Sequence, residues 1–230
     1  MRVRRLLAAV VTTGLIAPTA VIVASTAPAS AATATSIVSG SQGRGWIKVN
    51  DYSSQAGAPV AGTDQVSFSI NVKGADGKQV YDGSLVVQQL AAGSRSWQTI
   101  ATSSSAYLYK SVDIKISAQY RVFYSGTAEY APTGASVGTV KAQRKLTING
   151  MSGKRAGFKG KVAPKAKIKI IVQKKVGKKF KKYKTVRSNR KGRFTVVLPA
   201  PSRGKFVWKI TFKGSKGYTS SVIKGSTYRR

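Results

Sequence analysis

Phe206-Val207-Trp208-Lys209-Ile210-Thr211-Phe212 is the longest alternating stretch in this chain. Phe206, Trp208, Ile210 and Phe212 share one side of a period-two element. Only a β-strand puts residues i, i+2 and i+4 on one face. The pattern recurs on either side: Val66, Phe68, Ile70 and Val72, with Ser67, Ser69 and Asn71 opposite; Val112, Ile114 and Ile116; Ile168, Ile170 and Val172; Phe194, Val196 and Leu198. Turn signals separate the runs at Asp76-Gly77, Asp82-Gly83, Asn149-Gly150 and Asn189 to Gly192. Helical periodicity is almost absent. Short alternating strands with frequent turns predict an all-β fold of antiparallel sandwiches.

The chain also repeats itself. Tyr120-Arg121-Val122-Phe123-Tyr124-Ser125-Gly126, then Tyr130, matches Trp208-Lys209-Ile210-Thr211-Phe212-Lys213-Gly214, then Tyr218, each position 88 residues from its counterpart. Upstream, Leu85 to Gln88 matches Ile170 to Gln173, and Trp97 with Ile100 matches Phe180 with Tyr183. Two copies of one strand order account for this. The expected organisation is a signal peptide over 1–31, a near-neutral domain over 32–143 and a strongly basic domain over 144–230.

The second copy resembles the tandem bacterial immunoglobulin-like repeats of secreted cell-envelope proteins. Gly160-Lys161-Val162-Ala163-Pro164 is similar to that family's Gly-x-Val-x-Pro start. An apolar strand ending in Gln173, an aromatic strand at Phe180, Gly192-Arg193-Phe194 and the closing Gly214 to Tyr218 follow in the family's order. The match is looser over residues 37 to 143. The resemblance implies two tandem immunoglobulin-like antiparallel β-sandwiches, used for adhesion, spacing or polymer binding. It carries over no catalytic residue.

Charge divides the chain. The six acids, Asp51, Asp64, Asp76, Asp82, Asp113 and Glu129, all precede residue 144, while residues 144–230 hold 20 Lys and 8 Arg and no acid. That segment is +28 of a total of +34. Such density costs self-repulsion, which a polyanion partner would relieve. At the other end, Arg2, Arg4 and Arg5, the uncharged run Leu6 to Ala24 and Ala29-Ser30-Ala31 read as an export signal cleaved before Ala32. The same run is just long enough for an uncleaved anchor, against which Pro18 and the small residues after it argue. Arg4-Arg5 hints weakly at twin-arginine export. No later stretch is apolar enough to span a membrane, so the expected location is secreted, with association to the cell wall as one form of it.

Enzyme chemistry is narrowed by subtraction. Without His or Cys there is no Ser-His-Asp or Cys-His arrangement and no zinc or haem site built on them. Asp76 and Asp82, each followed by Gly, read as turn residues; a calcium site on them would have a thin ligand set. Ser and Lys are abundant, but nothing singles out a dyad. The glycine-rich phosphate motifs are missing. The expectation is a non-enzymatic protein with no cofactor and no small-molecule substrate.

The positive signal is a basic hairpin. Lys167 and Lys169 should face solvent together if Ile168, Ile170 and Val172 face the core. Lys174, Lys175, Lys178 and Lys179 should surround the tip at Val176-Gly177. On the returning strand, a core-facing Phe180 would drag Lys182 inward by strict alternation, which predicts a bulge or an edge position near Lys181-Lys182. Lys184 ends this group, and Arg187, Arg190, Lys191 and Arg193 form a second. A Lys-dominated surface suits diffuse attraction to repeated phosphates or carboxylates, and suits base-specific readout poorly. Tyr183 and Tyr218 read as core residues before stacking platforms. The expected partner is an anionic cell-surface polymer or extracellular nucleic acid. The alternatives are that the charge serves solubility, or that the chain is a spacer or protein-interaction module with contacts around Trp97, Tyr107 and Tyr109.

Overall fold

A computed structural model describes residues 31–41, 45–151 and 156–228. The expected export signal, up to residue 30, lies outside the described residues. The fold is all-β: sixteen strands and no helix among the described residues, with every strand pair antiparallel.

The Val66–Val72 stripe lies on β3 (Gln65–Gly74), the centre of the first sheet. Strands β1 (Thr35–Ser39) and β2 (Ile47–Asn50) sit end to end along one of its edges. Along the other run β4 (Gln79–Val80) and β7 (Tyr107–Asp113). The facing sheet has the order β6-β5-β8-β9, from β5 (Leu85–Ala91), β6 (Gln98–Ser103), β8 (Ala118–Tyr124) and β9 (Thr133–Val140). Phe68, Ile70, Val72, Leu85, Val87, Tyr120 and Val122 are buried between them.

A second core is built the same way. One sheet is β10 (Lys145–Gly150), β11 (Ala156–Ala163) and β14 (Arg193–Leu198). The other has the order β13-β12-β15-β16, from β12 (Lys169–Val176), β13 (Lys179–Arg187), β15 (Phe206–Phe212) and β16 (Ser221–Thr227). Trp208, Ile210 and Phe212 of the opening stripe are buried here with Ile170, Val172, Phe194 and Val196.

The internal repeat extends to register. Leu85 pairs with Tyr124 and Val87 with Val122; Ile170 pairs with Phe212 and Val172 with Ile210. Each four-stranded sheet carries a bulge at the matched place. Pairing slips between Val87 and Gln88, leaving Ile100 unpaired, and between Val172 and Gln173, leaving Tyr183 unpaired. A bulge sets two residues against one and turns the strand beyond it over. That is how Lys182 escapes the core. It also reverses Phe180, which lies on the outward face and not in the core, opposite Lys175.

The segment from Val140 to Leu146 is tied down on both sides. Gln143 is fully buried, and its Nε2 donates to the carbonyls of Gln55, Ala56 and Ala58. Gln55 in turn accepts from the Leu146 N–H and donates to the Arg144 carbonyl, both at 2.8 Å. The Arg144 guanidinium lies 4.0 Å from the ring centre of Tyr218, whose hydroxyl donates to the Lys115 carbonyl at 2.9 Å. Tyr218 therefore belongs to this joint. Gln143→Ala removes the buried amide that donates to these part-buried carbonyls and should cost about 1 kcal/mol in chemical denaturation, with faster hydrogen exchange at the Leu146 amide.

Candidate polyanion-binding surface

The basic hairpin closes on Gly177-Lys178. Gly177 has φ of +59°, which suits the first central position of a type II′ turn and matches the twist of the flanking strands. Its strands bring Lys174 opposite Lys181, and Lys175 opposite Phe180. Lys174, Lys175, Lys178, Lys179, Lys181 and Lys182 are all exposed. Like charges set opposite each other are destabilising. The second buried core, not the charge pattern, must therefore hold this hairpin in register.

Lys167 and Lys169 are exposed beside buried Ile168 and Ile170, as alternation requires. Lys169 pairs with Arg187 on the outward face of the four-stranded sheet. The same face gains cations that the hairpin pattern did not single out. Gln173 pairs with Lys182 on one side and Lys209 on the other, and Lys209 pairs with Lys224. The result is an outward row Lys182–Gln173–Lys209–Lys224 across four strands. Lys213 also belongs to this edge: its N–H donates to the Lys169 carbonyl at 2.9 Å. Lys209 was legible as outward from its place between buried Trp208 and Ile210. Its neighbours in the row were not, because cross-strand register is needed.

The second predicted group divides: Arg187 sits with the first, opposite Lys169, and the other three follow on the turn and on β14. Arg190 and Lys191 lie on the turn after β13, where the Asn189 side chain accepts the N–H groups of Lys191 at 3.0 Å and Arg193 at 2.9 Å. Arg193 begins β14 in the other sheet, opposite Lys161. The predicted residues thus divide between the two sheets of the basic half and do not form one patch.

Lys184 departs from the rest. It pairs with buried Val172, and its ammonium donates to the Val197 carbonyl in the facing sheet. Burial lowers its pKa from the ordinary lysine value. An inward lysine on an edge strand such as β13 discourages pairing with another chain. Lys184 thus reaches across to the facing sheet and is half-buried, unlike the exposed lysines of the hairpin. Tyr183, beside it at the bulge, meets Phe206 edge-on at 5.3 Å between ring centres and stays 43% exposed, so it is only partly a core residue.

None of these cations is neutralised by an acid among the described residues. The one ion pair there is Lys78 with Asp76, 3.6 Å apart, in the first half. Asp76 also accepts the Lys78 N–H at 3.1 Å, the turn role its sequence suggested. Asp64 is fully buried and accepts the N–H groups of Tyr52, Ser53 and Val60. Burial pushes its pKa up, but these hydrogen bonds outweigh burial and hold it below the ordinary carboxylate value.

A scan against protein-family models found no match to the chain, and a search of curated proteins found none either.

Proposed function

We propose that this is a secreted, non-enzymatic adhesion protein of two immunoglobulin-like sandwiches, which associates with extracellular anionic polymers through its basic half. Wall phosphate polymer, acidic glycan and DNA are the polymer classes concerned. One observation carries the reading: the exposed lysines of the β12–β13 hairpin and of the sheet behind it have no carboxylate within ion-pair distance among the described residues. Solubility alone does not require the one-sided choice of cations, since acids serve it at least as well. A rigid β-scaffold bearing unpaired ammonium groups attracts repeated anions without fixing their sequence.

The test is a binding panel of the full chain against duplex DNA, a teichoic-type polymer, an acidic glycan and a neutral glycan at low salt. Retention on the anionic polymers and not on the neutral one is expected. Equal retention on all four, or on none, contradicts the proposal.

A second reading, a spacer or protein-interaction module, is favoured by Tyr107 and Tyr109, which stand 58% and 76% exposed on the outward side of β7. It predicts salt-insensitive binding of a protein partner, lost on Tyr109→Ser.

A further inference from the structure

The row Lys182–Gln173–Lys209–Lys224 has a counterpart in the first sandwich. There Gln88 pairs with Thr99 and Arg121, and Arg121 pairs with Ser136, so the matched row is Thr99–Gln88–Arg121–Ser136. The two rows share a bulge beside the glutamine, and each sets a cation over an aromatic ring. Lys209 Nζ lies 5.3 Å from the ring centre of Phe180, and the Arg121 guanidinium carbon lies 4.2 Å from that of Trp97. The charge content differs. The second row holds three lysines, while the first holds one arginine among neutral hydroxyl and amide groups.

Arg121 is also fixed in a way that the lysines are not. Its guanidinium lies against Trp97 and, at 4.8 Å, against the ring of Phe123, which is itself 43% exposed. Its Nε donates to Gln88 Oε1 at 2.8 Å. The two terminal nitrogens make no hydrogen bond among the described residues, and neither is a buried orphan. A guanidinium with its Nε committed and two aromatic rings beside it keeps its two terminal nitrogens for recognition, the donors that match a carboxylate. Less rotamer freedom is then lost on binding.

We propose that the row Thr99–Gln88–Arg121–Ser136 is a carboxylate-reading subsite for an acidic polysaccharide, with Arg121 as the recognising residue. The proposal rests on the polyanion reading above and names the polymer class within it. A single fixed cation in a near-neutral sheet matches sparse, planar charges better than a dense phosphate chain. The apolar C–H face of a sugar ring fits the exposed ring of Phe123. Hydroxyl groups of the sugar find partners in Ser136 and in Thr99, whose Oγ1 accepts from Gln88 Nε2 at 3.4 Å and whose own proton is free to donate. The lysine row of the second sandwich then holds the same polymer by charge alone.

The experiment measures binding of the full chain to alginate, a polyuronate, and to polyphosphate of similar charge, for the wild type, Arg121→Lys, Arg121→Gln and Lys209→Gln. Both Arg121 variants should lose about tenfold on alginate, the scale of a charge-assisted hydrogen bond. On polyphosphate Arg121→Lys should match the wild type. Lys209→Gln should weaken both polymers alike. In the wild type, the Arg121 Nε–H resonance should shift on titration with a uronate oligomer, a readout that does not depend on how the variants fold. Arg121→Lys binding alginate as the wild type does, an unmoved resonance, or equal losses of Arg121→Lys on both polymers would overturn the subsite. Wild-type binding to polyphosphate and not to alginate overturns it too, while leaving the basic-half reading standing. Binding to neither overturns both.

Discussion

Replacing Asp64 with alanine should destabilise the first sandwich by about 3 kcal/mol, the cost of stripping several charge-assisted hydrogen bonds from one buried group. No other acid in the chain is fully buried. Its carboxylate collects the N–H groups of Tyr52 and Ser53 at 2.9 and 2.8 Å, the Val60 N–H and the Ser53 hydroxyl. The long connection from β2 to β3 is thereby folded onto one anion. That connection also carries Gln55, Ala56 and Ala58, which hold the joint at Gln143. Loss of Asp64 should therefore reach the segment between the two cores as well as the first core. The pH dependence has a definite sign. Asp64 has a lowered pKa in the folded state, so it binds fewer protons folded than unfolded in the acid range. Its contribution is complete above the ordinary carboxylate pKa and is lost as pH falls through the folded value, below about pH 4. Asp64→Asn should be less stable at neutral pH and should lack this part of the acid limb. Denaturation curves of wild type and Asp64→Asn between neutral pH and pH 2.5 check it, and curves that stay parallel would contradict it.

Converting Lys174, Lys175, Lys178, Lys179, Lys181 and Lys182 to glutamine should weaken binding to an anionic polymer at low salt by on the order of 10⁴-fold, at roughly 1 kcal/mol per cation near a strongly anionic surface. The fold should not suffer. Six exposed side chains change, and the opposed Lys174 and Lys181 stop repelling each other. Thermal unfolding should thus hold steady or improve while affinity collapses, a combination that a damaged scaffold does not produce. Lys184→Gln belongs to a different class. It removes an inward hydrogen bond to Val197 and should leave affinity within about twofold, because that half-buried ammonium points to the facing sheet and not outward with the others.

Some of this was legible in the residues, and the limit is physical. Period-two alternation identified the stripe at Trp208, Ile210 and Phe212 because burial on one face leaves a local mark. The conflict at Lys182 was legible for the same reason: a charge cannot sit in an apolar core, so alternation had to break, and it breaks at Tyr183. The side on which Phe180 lies was not legible, because it depends on which residue the bulge leaves unpaired. Nor was the inward turn of Lys184, which needs the Val197 carbonyl of the next strand, placed opposite it in the facing sheet. The outward row through Lys209 and Lys224 needs the pairing of four strands. The buried amide of Gln143 is a single polar residue with no periodicity to announce it. Pattern thus exposed the faces of individual strands, and tertiary register decided which cations share a surface.

The salt dependence of polymer binding tests the central claim most directly. Affinity of the full chain for duplex DNA or a wall-type phosphate polymer should be measured between 50 and 200 mM salt. If unpaired ammonium groups on a rigid β-face carry the interaction, log affinity falls linearly with log salt, with a slope of about −0.9 for every phosphate neutralised on a duplex. The six-glutamine variant should show a visibly shallower line. Tight binding that does not change across that range would contradict the account, as would no binding at its low-salt end.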